Sequence, residues 1–278
     1  MDYKIVADSS CDLNEELKEK LNISLVRFNI DVDDKKFIDD ENLDTMELIH
    51  AMKNSPNPVR TSCPSPGDFV EEYRKYDNIF AITISSQLSG TYNSAVLAKE
   101  MIKDEDLKKF IHVFDSKSAS VGETLIALKV KELIDSKLSN IEIVEKVEKY
   151  IHGMKTFFVL ESLDNLIKNG RITKTRAVIA NVLNLKPIMG EDGEGNIRLV
   201  ENVRGTKKAF KRLVEIIGET GENLEEKILA ISHTNAEEKA ESLKRDIKSR
   251  YNFKDIIVLK TAGLSSAYAY DGGIILAF

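Results

Sequence analysis

Serine and threonine hydroxyls gather in four short stretches of the N-terminal half: Ser9-Ser10, Thr61-Ser62, Ser85 to Thr91, and Ser116 to Ser118. They fall after β-rich apolar runs and before helix starts. In an open parallel sheet such loops sit at the carboxyl ends of the strands, where ligands bind. Helix N-termini aim unpaired N–H groups into the same crevice and favour an anion. Hydroxyls add neutral donors without adding charge, so a site built this way suits one carboxylate or phosphate. Ser, Thr, Asp and Asn are equally the ordinary residues of caps and βα loops. Spacing alone supports both readings.

Other chemistries find less support. No loop carries the G-x-x-x-x-G-K-[ST] pattern of a phosphate-cradling loop, and Gly193 and Gly195 sit in an acidic turn. A serine hydrolase needs a nucleophile with a base and an oxyanion hole. There is no G-x-S-x-G element, and His112 precedes Asp115 inside a strand-like run, where it reads as a core or edge histidine. Cys63, before Pro64 at a helix start, could act as a nucleophile, although a buried inert cysteine is the simpler account. His50, His112, His152 and His233 lack the close spacing of a zinc site. A phosphotransfer or sugar-kinase-like component would use the same anion site, but no carboxylate set nearby looks like a magnesium site. Arg198, Arg204, Lys207, Lys208, Lys211 and Arg212 form a basic run around a helix start. It reads as a solvated face, or as a docking surface for a protein partner or an anionic membrane.

The chain has 278 residues, enough for two domains. Its 42% hydrophobic and 31% charged residues exclude global disorder. A net charge of −6 argues against a nucleic-acid partner, which calls for a basic excess. Two cysteines, Cys11 and Cys63, make no disulfide framework, so a reducing cytoplasm is expected. The first residues carry Asp2 and Asp8 and no long apolar region, so a secretory signal is not expected. No stretch approaches the roughly 18 to 20 apolar residues of a membrane-spanning helix.

The elements that would position the hydroxyl loops alternate in type. Tyr3–Ala7, Leu25–Val32, Asn78–Ile84 and Ile111–Phe114 read as strands, the third continuous enough to be buried on both faces. Asp12 with Glu15 three residues on suggests a capping box, and Ser65-Pro66 with Asp68 a second helix start. Ile126, Val130, Leu133 and Ile134 share one helix face. Strands alternating with helices imply a parallel sheet with right-handed crossovers. After a helix around Ile141–Ile151 the style changes: a strand at Thr156–Leu160, a basic Asn169-Gly170-Arg171-Ile172 loop, and a hairpin from Pro187–Met189 to Ile197–Asn202. A helix near Thr206–Ile217, strands at Ile228–Ser232 and Ile256–Leu259, and a helix at Ala236–Ser249 follow. The expected fold class is α/β with two domains: a Rossmann-like parallel-sheet domain over 1–155 and a smaller mixed-sheet domain over 156–278. Residues 263–278 are expected to pack back on the first.

These segments carry a pattern. Thr61-Ser62-Cys63-Pro64-Ser65-Pro66 resembles the TSQPSP element of the DegV family, and Ser85 to Ala95 (SSQLSGTYNSA) resembles its SSxLSGTYxSA element. Asp8 to Leu13 is similar to the opening DSxxDL, and Leu163 to Ile172 (LDNLIKNGRI) to LxxLxxGGRI. The elements occur in order across the whole chain. The resemblance implies the DegV fold and a fatty-acid-binding protein, not an enzyme, related to the binding subunits of bacterial fatty acid kinase. It implies that hydroxyls of Thr61 and Ser94 hold the carboxylate, with N–H groups of Ser89-Gly90-Thr91 nearby, Ser62 as a secondary contact and Arg171 near the head group. The protein would be a carrier that shields the tail and presents the carboxyl to a separate kinase, with no cofactor and no metal. Many members end in G-x-H-x-G-P-G; here Gly263 to Gly273 has no histidine, and Tyr268 or Tyr270 could supply a hydroxyl instead. Cys63 replaces the usual glutamine.

Physical chemistry allows such a ligand. A tail of ~14 to 16 methylenes gains roughly 11 to 13 kcal/mol gross on burial, before ordering and association costs. The head group then needs hydrogen bonds rather than a formal counter-charge. Candidate tail contacts, which read without the family as core residues, are Phe157, Phe158, Leu160, Leu163, Ile167, Ile179, Leu183 and Ile188.

Overall fold

The structure is a computed structural model that describes residues 3–172 and 185–278. Its first sheet is built from β1 (Tyr3–Asp8), β2 (Ile23–Val26), β6 (Asn78–Thr83) and β7 (Phe110–Asp115), all parallel, in the order β2-β1-β6-β7. Successive side chains of a strand point to opposite faces, and both faces here are apolar. Ile5, Ala7, Phe80, Ile82 and Phe114 pack on α5 (Val121–Asp135) and α6 (Asn140–Gly153). Val6, Ile79, Ala81 and Val113 pack on α3 (Pro66–Tyr73) and α4 (Thr91–Glu105). Ser65 caps α3 with a capping box closed by Asp68 and Pro66 at the first helical position, as the spacing predicts.

The second sheet is mixed, in the order β10-β9-β8-β13-β11-β12. Its strands are β8 (Thr156–Val159), β9 (Leu185–Glu191), β10 (Ile197–Arg204), β11 (Ile228–His233), β12 (Asp255–Lys260) and β13 (Ile274–Ala277). Only β11 and β12 run parallel. One face carries Phe157, Val159 and Ile188 against α8 (Thr206–Thr220) and α9 (Glu237–Lys248). Near β11 and β13 the other face meets α5, so that helix touches both sheets. Contact on two sides explains why every residue from Val121 to Ala127 is buried, against the single apolar stripe of an ordinary surface helix.

A third, three-stranded antiparallel sheet joins β3 (Asn29–Val32), β4 (Lys35–Ile38) and β5 (Arg60–Ser62). On it pack α2 (Thr45–Asn54) and α10 (Gly263–Ala269), through Ile30, Val32, Leu48, Met52 and Ala267. Among the described residues the remaining α-helices are α1 (Glu15–Leu21) and the short α7 (Asp164–Lys168).

Two expectations need correction. Leu25–Val32 is not one strand: β2 and β3 belong to different sheets. The break falls at Phe28, whose side chain is buried beside Ile84 and Leu264 and whose N–H goes to Ser9 Oγ at 3.0 Å instead of to a strand neighbour. Asp12 does not cap α1. Asn14 does, accepting from Leu17 N, while Asp12 is fully buried in bonds to distant segments. Of the C-terminal stretch 263–278, α10 packs on α2 and β3, whereas β13 lies inside the second sheet between β8 and β11. Among the described residues no helix is long and apolar enough to cross a membrane.

Candidate functional site

A cavity of about 330 Å³ lies between the two main sheets, within the size range of small-molecule sites. Its walls come from the loops at the carboxyl ends of β1, β6 and β7, the free face of the second sheet, and α10. The lining is largely apolar: Phe28, Ile84 and Leu88 from the first side, Phe158, Leu160, Ile197 and Ile275 from the second, Leu264 and Ala269 from α10. Polar lining comes from Thr61, Ser62, Ser89, Gly90, Arg171 and Tyr268, and also from Ser10, Lys117, Ser118, Ser120, Thr156, Glu191, Asn196 and Ser265.

Local structure fixes the former group. Thr61 and Ser62 end β5, and Thr61 Oγ1 lies 3.0 Å from the Tyr268 hydroxyl carried by α10. Gly90 caps α4 without a side-chain hydrogen bond of its own, and the first N–H of that helix, Thr91 N–H, reaches Ser89 Oγ at 3.4 Å. Ser89 Oγ is 2.8 Å from Thr91 Oγ1. Arg171 donates from Nε to Leu88 O at 3.0 Å and from Nη1 to Asn169 O at 2.5 Å, which ties the loop after α7 to the hydroxyl loop after β6. Cys63 lines the cavity, half-buried and free; Cys11 is buried and also free. Burial, with the neighbouring Glu123 charge, pushes the Cys11 thiol well up, which makes it inert.

The two readings of the hydroxyl loops divide by position. Ser10, Thr61, Ser62, Ser89, Ser118 and Ser120 line the cavity. Ser9, Ser85, Ser86, Thr91 and Ser116 are not in its lining. Ser9 accepts Phe28 N–H, Ser86 donates to Asp115, Ser116 donates to Ser118 O, and Thr91 is buried against Ser89. Ser85 Oγ donates to Gly195 O at 2.9 Å, docking the turn between β9 and β10 onto the first sheet. Lys117 reinforces that contact through Glu194 at 3.1 Å.

Of the residues singled out for the head group, Thr61, Ser62, Ser89, Gly90, Arg171 and Tyr268 meet at the cavity. Ser94, in the first turn of α4, Thr91 and Tyr270 are not in its lining. Tyr270 ends α10 and packs beside Ile30, Leu48 and Met52. Of the tail candidates, Phe158 and Leu160 face the cavity. Phe157 and Ile188 point to the opposite face, towards α8 and α9, because strand side chains alternate. Leu163 and Ile167 belong to the cluster that backs Phe158. Ile179 and Leu183 lie outside the described residues. None of the four histidines lines the cavity. His112 packs on Phe114 with ring centroids 4.5 Å apart and meets Glu148 at 3.4 Å, so no histidine faces the serines. The basic run lies outside the lining as well. Arg212 is held by Glu201, Glu215 and Glu219, and Arg204, Lys207, Lys208 and Lys211 are exposed.

Sequence reasoning missed a layer under the cavity floor. Asp8, Asp12 and Glu123 are fully buried. Ser10 Oγ donates to Glu123 and Ser120 Oγ to Asp12, so two lining hydroxyls rest on carboxyls. Burial pushes Asp8 up to about 6 and Asp12 up to about 7, against hydrogen bonds that lower both. Glu123 is raised well above the ordinary range by burial and then by Asp8, and its Oε2 has no partner. Burial therefore favours its protonated form. Asp8 and Asp12 stand in the opening DSSCDL stretch, where a polar run at a strand end read as loop and cap.

The sheets and cavity together define a class: an α/β protein with a largely apolar cavity between two sheets, into whose lining hydroxyls and Arg171 also enter. The chain belongs to the DegV family, whose profile matches residues 2–277. A DegV domain-containing protein of Streptococcus pyogenes serotype M3 is 35% identical over 280 residues, covering 100% of this chain and 99% of the relative. A DegV family protein from Ruminococcus gnavus, solved with vaccenic acid, is 41% identical at a TM-score of 0.94, with 99% of each chain covered. The fatty acid kinase (Fak) B3 protein of Streptococcus pneumoniae, loaded with linoleic acid, is 32% identical at a TM-score of 0.91, covering 100% of this chain and 99% of that one.

Proposed function

We propose that this protein binds one long-chain fatty acid in the cavity between its sheets and works as a carrier, not an enzyme, offering the carboxyl group to a separate kinase. The observation that carries the reading is the lining of the cavity: largely apolar side chains, with Thr61, Ser62, Ser89, Gly90, Arg171 and Tyr268 among its polar groups. Hydrocarbon partitions against the apolar side chains and the carboxylate takes donors from these polar groups. The solved relatives hold vaccenic and linoleic acid, and one of them is a fatty acid kinase B protein. The Thr61 and Tyr268 hydroxyls serve the carboxylate, Arg171 adds its positive charge, and the Ser89-Gly90-Thr91 turn orients N–H groups. Ser94 acts through the first turn of α4. The bound acid is the only prosthetic element, with no cofactor. Residues 1–155 form the unit that grips the carboxylate and residues 156–278 the unit that covers the tail. Lipid exchange takes place at an anionic membrane surface in the cytoplasm, and nucleic acid is not a partner.

Mass spectrometry of lipid extracted from the purified, denatured protein tests the reading. We expect a fatty acid at close to one per chain. Protein that carries no lipid and takes up no added oleate would overturn it.

A further inference from the structure

Helix α10 is held from outside itself. It has no side-chain cap of its own. Two buried aspartates from the N-terminal half take its first N–H groups instead. Asp12 accepts Ala262 N–H at 2.7 Å, and Asp39 accepts Gly263 N–H at 2.7 Å and Leu264 N–H at 2.9 Å. The same helix supplies Leu264, Ser265, Tyr268 and Ala269 to the cavity wall, and its Tyr268 reaches Thr61.

We propose that Asp12 and Asp39 are positioning residues for the binding site: they clamp α10 over the cavity, and their ionisation sets how firmly the helix seals it. The ligand consequence rests on the fatty-acid reading; the clamp itself does not.

The charge environment supports a proton-sensitive clamp. The titratable groups facing Asp12 are Asp8 at the end of β1, Cys11 beside it in the chain, Asp39 after β4, and Glu123 on α5. From β11 and β12, the ionisable residues at this end are His233, whose Nδ1 accepts Ala236 N–H, and exposed Lys260. Neither is among the main influences on Asp12, and α10 itself carries no charged side chain. On Asp39 the facing charge is Asp40, itself 3.6 Å from Arg27. The acids are therefore surrounded mainly by hydroxyls, amides and one another. Burial raises Asp12 to about 7 and also raises Asp39.

The sign follows from linkage. A carboxyl raised by burial holds its proton in the closed state and loses it more readily once water reaches it. Releasing α10 hydrates Asp12, so the open form binds fewer protons. Rising pH therefore favours opening. One linked proton changes the opening equilibrium by at most about tenfold per pH unit, within the window between the ordinary carboxylate value and about 7.

Amide hydrogen exchange over residues 262–270 of the delipidated full chain, corrected for the intrinsic pH dependence of exchange, reads the clamp without any ligand. Between about pH 6 and about pH 8 we expect opening to increase on the order of threefold or more in the wild type. In Asp12→Asn, a neutral isostere that keeps an acceptor for Ala262 N–H, the step should shrink, leaving the part that Asp39 contributes. Asp39→Asn, which loses one of two acceptors, should open faster at every pH. The rate at which bound oleate passes to defatted albumin should follow the same steps. Exchange that does not change with pH in the wild type overturns the clamp, as does an undiminished step in Asp12→Asn, and the wild-type result needs no variant to fold. A clear exchange step in protein that takes up no oleate supports the clamp and removes the fatty-acid reading.

Discussion

Thr61 Oγ1 and the Tyr268 hydroxyl lie 3.0 Å apart, and whichever accepts in that pair keeps its own O–H for a carboxylate. A bond from a hydroxyl to the carboxylate is charge-assisted. Thr61→Val removes one such bond and should weaken oleate binding by about 1.5 to 3 kcal/mol, read by titration calorimetry. Ser94→Ala, whose hydroxyl is not in the cavity lining, should cost less. Equal losses in the two variants would mean that the first turn of α4 turns Ser94 inward around the ligand. Glu123 poses a different residue-scale question. Its Oε1 accepts from Ser10 while Oε2 has no partner in complete burial. Its folded-state pKa lies well above the unfolded value, so the stability it lends is present at low pH and lost as pH rises through the folded value. Because the unfolded carboxyl ionises near 4.5, Glu123→Gln should raise the urea midpoint already at neutral pH, with little difference from the wild type at about pH 4. A variant that unfolds more readily at neutral pH than the wild type would show that Glu123 is not neutral in the fold.

At the scale of elements, the turn between β9 and β10 reaches from the second sheet to the first. Gly195 has φ +90, and a Cβ there would collide with Ser85 Oγ and approach the Lys117 backbone. Gly195→Ala therefore adds a strained left-handed backbone to a collision. We expect destabilisation of about 1 to 3 kcal/mol and faster oleate exchange; an unchanged melting curve would mean that the turn does not close the cavity. Much of this architecture was legible beforehand. Continuous apolar runs marked β1, β6 and β7, and cap residues marked α3. The TSCPSP and SSQLSGTYNSA stretches marked the two hydroxyl loops that meet at the cavity. Other parts were not legible, for physical reasons. Arg27 and Phe28 carry ordinary strand-forming neighbours, and only the tertiary demand for Phe28 beside Ile84 and Leu264 splits β2 from β3. Helix propensity in Gly263 to Ala269 is weak, and α10 exists because Asp12 and Asp39, more than 200 residues earlier in the chain, accept its N–H groups. Alternation along β8 sends Phe158 to the cavity and Phe157 to the core, a choice fixed by which face the ligand crevice covers.

For the molecule as a whole, the position of α5 decides how the two sheets share stability. Its apolar residues pack on β1 and β6 on one side and on β11 and β13 on the other, where Ala230, Leu259 and Ala277 join the same cluster as Ile5 and Phe80. The last strand, β13, is in turn hydrogen-bonded between β8 and β11 inside the second sheet. Neither sheet can therefore lose its structure without exposing apolar surface of the other. We expect a single cooperative thermal transition, with equal calorimetric and van't Hoff enthalpies, although the chain holds two main sheets. The transition should also fall as pH rises from about 4 to about 7, because Asp8 and Asp12 keep folded-state values of about 6 and about 7 against an unfolded 3.8. Self-repulsion from the net charge of −6 acts in the same direction. Asp12→Asn should flatten part of that slope without dividing the transition. Two resolved transitions would show that α5 separates cleanly from one sheet, and the fragment 1–155 would then fold alone. A shared α5 predicts instead that this fragment, stripped of β11 and β13, exposes the buried face around Leu125 and Ile126 and associates or fails to fold.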